Sequence, residues 1–305
     1  MILFIVGPTA VGKSRLALLL AQRMGGEIIS ADSMQIYRGM DIGTGKPSVE
    51  ERALIPHHLI DELEPSETWD AFRFSKRARK VMGDIESRGH RPIIVGGSGL
   101  YVRALVDGIF DGPGADWEVR RGLYDEAERQ GPAVLYQRLG EVDPEAAAKI
   151  QSNDLRRIVR ALEIFEGTGK SATEWKRQTS GLAVEMPVLL IGLTAPREAL
   201  YARIDARVEA MFAHGFLQEV ERLAPLPLSR TASRALGYKE ILAHLRGEMD
   251  LTQAQRLTQQ NTRHFARRQW AWFKPDPRIH WIDVESQDPL HAAEALLPKS
   301  ENSLR

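Results

Sequence analysis

Apolar residues follow two rhythms along this chain. Short unbroken runs, Ile2–Val6, Ile93–Val95 and Val188–Gly192, read as strands buried on both faces. Gly26–Ser30 reads as another, and Ile279–Ile282 as an edge strand near the end. Between these runs the spacing turns helical. Leu16, Leu19 and Leu20 predict a helix over Ser14–Arg23, and longer helices are expected over Phe72–Ser87, Arg197–His214 and Leu251–Phe273, the last ended by Lys274-Pro275-Asp276-Pro277. Asp32–Pro47 is polar, dotted with glycine and without period, the pattern of a binding loop. Apolar strands alternating with helices predict an α/β fold with a parallel sheet covered on both faces. The clearest breaker cluster is Asp111-Gly112-Pro113-Gly114, and from there to Gly181 the pattern is helical and charged without a strand signal. Residues 111–181 are therefore expected to form a helical insertion into a core built from 1–110 and 182–305.

Composition sharpens this picture in few places. A length of 305 residues exceeds a typical single domain, which suits a core with an insertion. The 41 basic residues balance 41 acidic ones, so total charge does not announce a nucleic-acid partner, and any case for one must rest on local clusters. The lack of cysteine excludes disulfides, thiolate metal sites and cysteine nucleophiles. Met1–Val6 has no basic leader and runs into Gly7, so it reads as a strand and not as a secretory signal. No stretch reaches the ~18 apolar residues that span a bilayer. The expected setting is the cytoplasm, without a membrane partner. No long exposed heptad is present, so a monomer is expected, and Glu301–Arg305 is expected to fray.

The sharpest motif is Gly7-Pro8-Thr9-Ala10-Val11-Gly12-Lys13-Ser14, which fits the P-loop pattern at each fixed position between a strand and a helix. Glycines let backbone N–H groups turn inward around phosphate oxygens, Lys13 supplies a point charge, and the Ser14 hydroxyl can ligate Mg²⁺. The motif reports diphosphate binding and is silent on which ester carries the phosphates. Asp32 follows directly on a predicted strand, so it should share the crevice beyond the strand ends with the P-loop. A carboxylate there can orient an acceptor, take a proton or hold a metal through water, and it can equally serve as a turn cap. Val95-Gly96-Gly97-Ser98-Gly99 repeats the strand–turn–helix theme, and its glycines would let a ligand approach the Ser98 hydroxyl; a plain turn is the competing reading. No apolar strand ends in an aspartate of Walker-B type, which weakens any reading as an ATP-driven motor.

Three basic clusters are candidates for nucleic acid. Arg156, Arg157 and Arg160 lie on one predicted helix. Thr252–Lys274 carries Arg256, Arg263, Arg267, Arg268 and Lys274 with no acidic residue, together with Trp270, Trp272 and Phe273. Phe72–Arg91 adds Arg73, Lys76, Arg77, Arg79 and Lys80. A solvated helix face is the bland reading of each, and core packing the commoner use of such aromatics.

Gly7–Ser14, Asp32–Pro47, Pro56–Asp61, Val95–Tyr101, Asn153–Glu163, Ala235–Glu240 and Arg267–Phe273, taken in order, resemble the bacterial tRNA dimethylallyltransferase (tRNA isopentenyltransferase) family over about residues 2 to 274. The Asp32-Ser33-Met34-Gln35-Ile36-Tyr37 block, with Gly39-Met40-Asp41-Ile42-Gly43-Thr44 behind it, is far more specific than a P-loop alone. The resemblance implies a P-loop kinase-like core with a helical insertion that contacts the anticodon stem-loop of tRNA. It implies transfer of a dimethylallyl group from dimethylallyl diphosphate to the N6 amine of the adenosine on the 3′ side of the anticodon. Asp32 would take the amine proton, Ser98 would steady the bridging oxygen of the leaving diphosphate, and Gly7, Pro8, Thr9, Ala10, Val11, Gly12, Lys13 and Ser14 would hold that diphosphate and its Mg²⁺. Asp32, Ser33, Met34, Gln35, Ser98, Arg120, Arg156, Arg157, Ile158, Val159, Arg160, Arg234, Gly237, Tyr238 and Lys239 match segments that meet tRNA. Ser14 and Ser98 stand where the family more often has threonine and keep the hydroxyl. Gly45 replaces a usual alanine, a change expected to loosen its loop. Arg203 and Arg207, one turn apart, are expected by analogy with kinase lids to close over the diphosphate. Two other readings share most of these residues: a small-molecule kinase in which the P-loop holds ATP, and a nucleotide-gated RNA-binding module without chemistry.

Overall fold

The computed structural model describes residues 1–110, 114 and 116–298. Asp111, Gly112 and Pro113 of the expected breaker cluster, and the expected frayed end Glu301–Arg305, lie outside the described residues. Six strands form one sheet: β1 (Ile2–Val6), β2 (Gly26–Ser30), β3 (His57–His58), β4 (Arg91–Gly96), β5 (Val188–Thr194) and β6 (Ile279–Asp283). Their order across the sheet is β3-β2-β4-β1-β5-β6, and every pairing is parallel. Parallel strands need crossover helices, which bury both faces and explain why β1 and β2 are buried at every position.

One face is closed by the Lys13–Met24 helix and the Pro289–Leu296 helix, with Leu16 and Leu20 packed in a cluster that includes Leu3, Ile5, Ile191 and Ile282. The Ala71–Ser87 and Gly99–Val106 helices pack against each other, where the Phe74 and Tyr101 rings stack with centroids 4.5 Å apart. The Leu251–Phe273 helix starts at a capping box in which Asp250 and Gln253 each accept the other's N–H. It stops before Pro275, which has no N–H to continue the ladder. Its buried positions, Ala254, Thr258, Ala266, Gln269 and Phe273, fall at helical spacing along one side.

Chain contacts divide the protein into two compact units, Met1–Val106 with Leu182–Arg305, and Asp107–Gly181. The second unit contains no strand among its described residues. Its helices enclose their own core of Leu123, Leu135, Leu139, Ile158, Val159 and Leu162. No helix among the described residues is long and apolar enough to cross a membrane.

Candidate active site

Strand register brings the loops of interest together. Val6 pairs with Gly96, and Ser30 pairs with Val95, so the segments that leave β1, β2 and β4 start at one level of the sheet. The Ala31 N–H donates to the Val95 carbonyl at 2.7 Å, and the Ser98 N–H donates to the Ala31 carbonyl at 3.3 Å. Asp32 and Ser98 are thereby tied to adjacent backbone. The same closeness requires Gly96, where a methyl group would collide with the Ala31 carbonyl.

The P-loop wraps from Gly7, at φ 138°, to Gly12, at φ 101°, backbone angles that a side chain strains. The helix that follows has no acidic residue in its first turn, so that turn leaves its N-terminal partial charge to a ligand. Lys13 Nζ donates to the carbonyls of Gly7 at 2.9 Å and Pro8 at 2.7 Å. Burial of the ammonium pulls its pKa from 10.5 to about 7; Asp32 opposes that shift and Arg207 adds to it. A cavity of about 320 Å³ opens over the loop, lined among others by Lys13, Ser14, Asp32, Gln35 and Arg207.

Asp32 Oδ1 accepts the Met34 N–H at 2.8 Å, an Asx turn that aims the carboxylate, and Oδ2 has no hydrogen-bond partner among the described residues. Ser98 Oγ accepts the Ser33 N–H at 3.2 Å and keeps its own proton to donate. Ser98 is not among the residues lining the cavity. Gln35 accepts from Ser30 Oγ at 2.8 Å and reaches the Gly45 carbonyl at 3.2 Å, so it ties the end of β2 to the far side of its loop. The group thus comprises a buried cation in an anion cradle, a carboxylate oxygen open to a proton, and a hydroxyl one residue from the carboxylate's loop. It can hold a diphosphate and accept a proton from a nucleophile beside it.

Among the described residues no group of three or more His, Asp or Glu gathers as a metal cage. Ser14 and Asp32 line the cavity and offer side-chain oxygens to a cation there, as do Thr9, Ser30, Gln35 and Thr44.

The remaining expected residues divide between exposed and buried. In the second unit, Arg156 and Arg157 are exposed on the Leu155–Thr168 helix, whereas Ile158 and Val159 fill its core. The side chains of Ile158 and Val159 thus serve the helical core, and the exposed surface of that run is its arginines. Glu163, itself buried, accepts from Arg120 at 3.0 Å and from Arg160 at 2.7 Å, and the Arg120 guanidinium lies over the Trp117 ring at 5.1 Å. In the first unit, Arg234 and Lys239 are exposed, while Gly237 and Tyr238 are buried. Tyr238 donates its hydroxyl to Glu219 at 2.6 Å and so serves the fold. Arg203 pairs with Glu285, and only Arg207 of the two expected lid arginines lines the cavity. Some residues of the other two basic stretches are engaged on the protein itself. Arg77 pairs with Glu62, Arg79 with Glu185 and Arg263 with Asp205. Phe273 is core, Trp272 lies against Gly99, and Trp270 is exposed with the Lys274 ammonium over its ring.

Two contributors, Gln269 and Glu219, escape the motif reading, and Arg207 gains a neighbour that the motif reading did not give it. Gln269 lies 260 residues from Thr9 and accepts its N–H at 2.9 Å. Arg207 packs where a side chain on Gly45 would stand, so the glycine expected to loosen its loop instead makes room for a guanidinium. Glu219, buried in the Phe216–Leu223 helix, accepts the N–H groups of Asp41, Ile42 and Gly43 at 3.0, 2.7 and 3.2 Å and anchors that loop. Gln269 and Glu219 carry no local signal, since each acts across the fold on backbone far away in sequence.

Comparison with known proteins adds the following. A family model described as IPP transferase matches residues 35–276. The tRNA dimethylallyltransferase of Geobacter metallireducens is 48% identical over 284 residues, 92% of this chain and 92% of that protein. That of Carboxydothermus hydrogenoformans is 47% identical over 284 residues, 92% of this chain and 91% of that protein. Among solved structures, the full-length tRNA isopentenylpyrophosphate transferase of Bacillus halodurans gives a TM-score of 0.70 at 38% identity, covering 96% of this chain and 93% of that one. A eukaryotic dimethylallyltransferase described as acting on tRNA gives 0.76 at 31% identity, covering 96% and 77%.

Proposed function

This chain belongs to the tRNA dimethylallyltransferase (IPP transferase) family, and from that premise we propose that it transfers a dimethylallyl group from dimethylallyl diphosphate to the N6 amine of the adenosine 3′-adjacent to the anticodon in tRNA. The observation that carries this reading is the meeting of Lys13 and the open oxygen of Asp32 in one cavity. Breaking the allylic C–O bond sends its electron pair to the diphosphate and leaves positive charge on carbon. The amine nitrogen forms the new C–N bond and loses a proton, which Asp32 Oδ2 accepts. Lys13, the P-loop amides and Arg207 hold the oxygens on which negative charge grows, a kind of stabilisation often worth several kcal/mol. The Ser98 proton is the donor for the bridging oxygen.

Mg²⁺ suits this donor set. The ion would keep waters and bind the substrate's phosphate oxygens, with Ser14 Oγ and, through water, Asp32 as the protein's share; it would supply charge neutralisation on the leaving group. A second cavity of about 740 Å³ shares Gly45, Pro47 and Arg207 with the first, but Lys13, Asp32 and Ser98 do not line it. An adenine in a stacked loop hides its amine, and entry requires flipping the base out at a cost of a few kcal/mol. Arg120, Arg156, Arg157, Arg160, Arg234 and Lys239 are the side chains we assign to the tRNA, with the helical unit supplying the first four. The protein acts as a cytoplasmic monomer in this reading.

Incubation with tRNA and dimethylallyl diphosphate, followed by digestion and mass analysis of the nucleosides, tests the function. An adenosine heavier by one five-carbon prenyl group is expected. Unchanged nucleosides, together with phosphorylation of a small molecule by ATP, would establish the kinase reading instead.

A further inference from the structure

Gln269 stands apart from the groups assigned to the reaction. Its side chain is buried, with 6% of the residue exposed, and both ends of its carboxamide are engaged. Oε1 accepts the Thr9 N–H at 2.9 Å, and Nε2 donates to the Gly97 carbonyl at 3.0 Å. These partners belong to different loops. Thr9 is in the P-loop, and the Gly97 carbonyl is one end of the peptide that leads into Ser98. The other end of that peptide, the Ser98 N–H, donates to the Ala31 carbonyl next to Asp32. The Gly97–Ser98 peptide is therefore pinned on both sides, by the residue preceding Asp32 and by Gln269.

The approach of the long helix is built for this contact. A methyl group on Gly97 would collide with Gln269 Nε2, and one on Gly99 would collide with the Trp272 indole. The glycines of this turn thus admit the helix rather than only a ligand. Pro8 has no N–H, so Thr9 presents the first donor of the loop after Gly7.

We propose that Gln269 is a positioning residue that sets the separation between the P-loop and the Ser98 hydroxyl, so that both meet the leaving diphosphate in the transition state. This inference rests on the transferase reading above. A misplacement of about 1 Å at such a contact lowers turnover about 100-fold, whereas tRNA binding does not depend on it.

The test compares kcat, the KM values for tRNA and dimethylallyl diphosphate, and melting temperature for wild type, Q269L and Q269E. Q269L removes both bonds in a similar shape. Q269E keeps an acceptor for the Thr9 N–H but turns a second oxygen toward the Gly97 carbonyl, and only its protonated carboxyl can donate there. Both variants are expected to lose at least about tenfold in kcat with the KM for tRNA within about twofold. The ratio of Q269E to wild-type kcat is expected to rise as pH falls, a signature that general loosening of the fold would not produce. If Q269L does not fold, Q269E and its pH profile decide alone. A variant of normal kcat, whether or not its melting temperature falls, overturns the proposal, as does a ratio flat with pH. If wild type itself transfers no prenyl group, the transferase reading fails and takes this inference with it; an active wild type with unaffected variants removes this inference only.

Discussion

Lys13 shows how one residue couples charge, burial and binding. Its pKa of about 7 lies below the ordinary 10.5 because burial disfavours the ammonium. The unfolded chain therefore holds a proton that the free folded protein releases between those values. The burden on stability is full below about pH 7 and fades as pH rises toward 10.5. Binding runs the other way, since a diphosphate favours the charged lysine and draws the proton back. Affinity for dimethylallyl diphosphate is expected to weaken by up to about tenfold per pH unit above 7, where the ester's own oxygens are already ionised. Calorimetry at several pH values checks this; Lys13→Met should bind weakly with a flat profile. Glu219 illustrates the opposite arrangement, a buried carboxylate saturated by three backbone N–H groups and the Tyr238 hydroxyl. Burial and the neighbouring Glu219 charge raise the Tyr238 pKa, so the phenol stays a donor. Glu219→Leu orphans those donors and is expected to destabilise the protein by about 3–5 kcal/mol, measured as a shift of the denaturant midpoint. A change below about 1 kcal/mol would mean that water or another group satisfies the loop.

At the scale of elements, the apolar runs carry most of the information. Ile2–Val6, Gly26–Ser30 and Leu251–Phe273 fall where periodicity and breakers place them, because an unbroken apolar run or a one-sided helical stripe has one stable burial. His57–His58 and Pro289–Leu296 do not announce themselves. The first is a two-residue edge strand of polar residues paired to Ile28 and Ile29, and the second is too short for a stripe to stand out. Asp32–Pro47 lacks period for a physical reason. It is held by side chains bonding to backbone, such as Thr44 to the Met40 carbonyl at 2.6 Å and Gln35 to Gly45, and such bonds follow no repeat. The Leu155–Thr168 helix separates its roles by face, with Ile158 and Val159 inward and Arg156 outward. Arg156→Ala with Arg160→Ala is expected to weaken tRNA binding and to reduce the slope of log Kd against log salt by about 1.5, as loss of two phosphate contacts requires. An unchanged slope would take these arginines off the phosphates.

For the whole molecule, a balanced total charge conceals local clusters, because Arg77, Arg79 and Arg263 are matched by acidic partners on the protein itself while Arg156 stands exposed on the helical unit. The P-loop and Asp32 were legible in the sequence because strand ends in a parallel sheet collect at one edge. Gln269 and Glu219 were not, since their partners lie far off in the chain and only the closed fold brings them together. The reaction as proposed assigns the amine proton to Asp32. Single-turnover prenyl transfer in Asp32→Asn, with tRNA affinity measured alongside, tests it most directly. A rate at least about 100-fold lower, with tRNA affinity within about twofold of wild type, is predicted; a wild-type rate in that variant would contradict it.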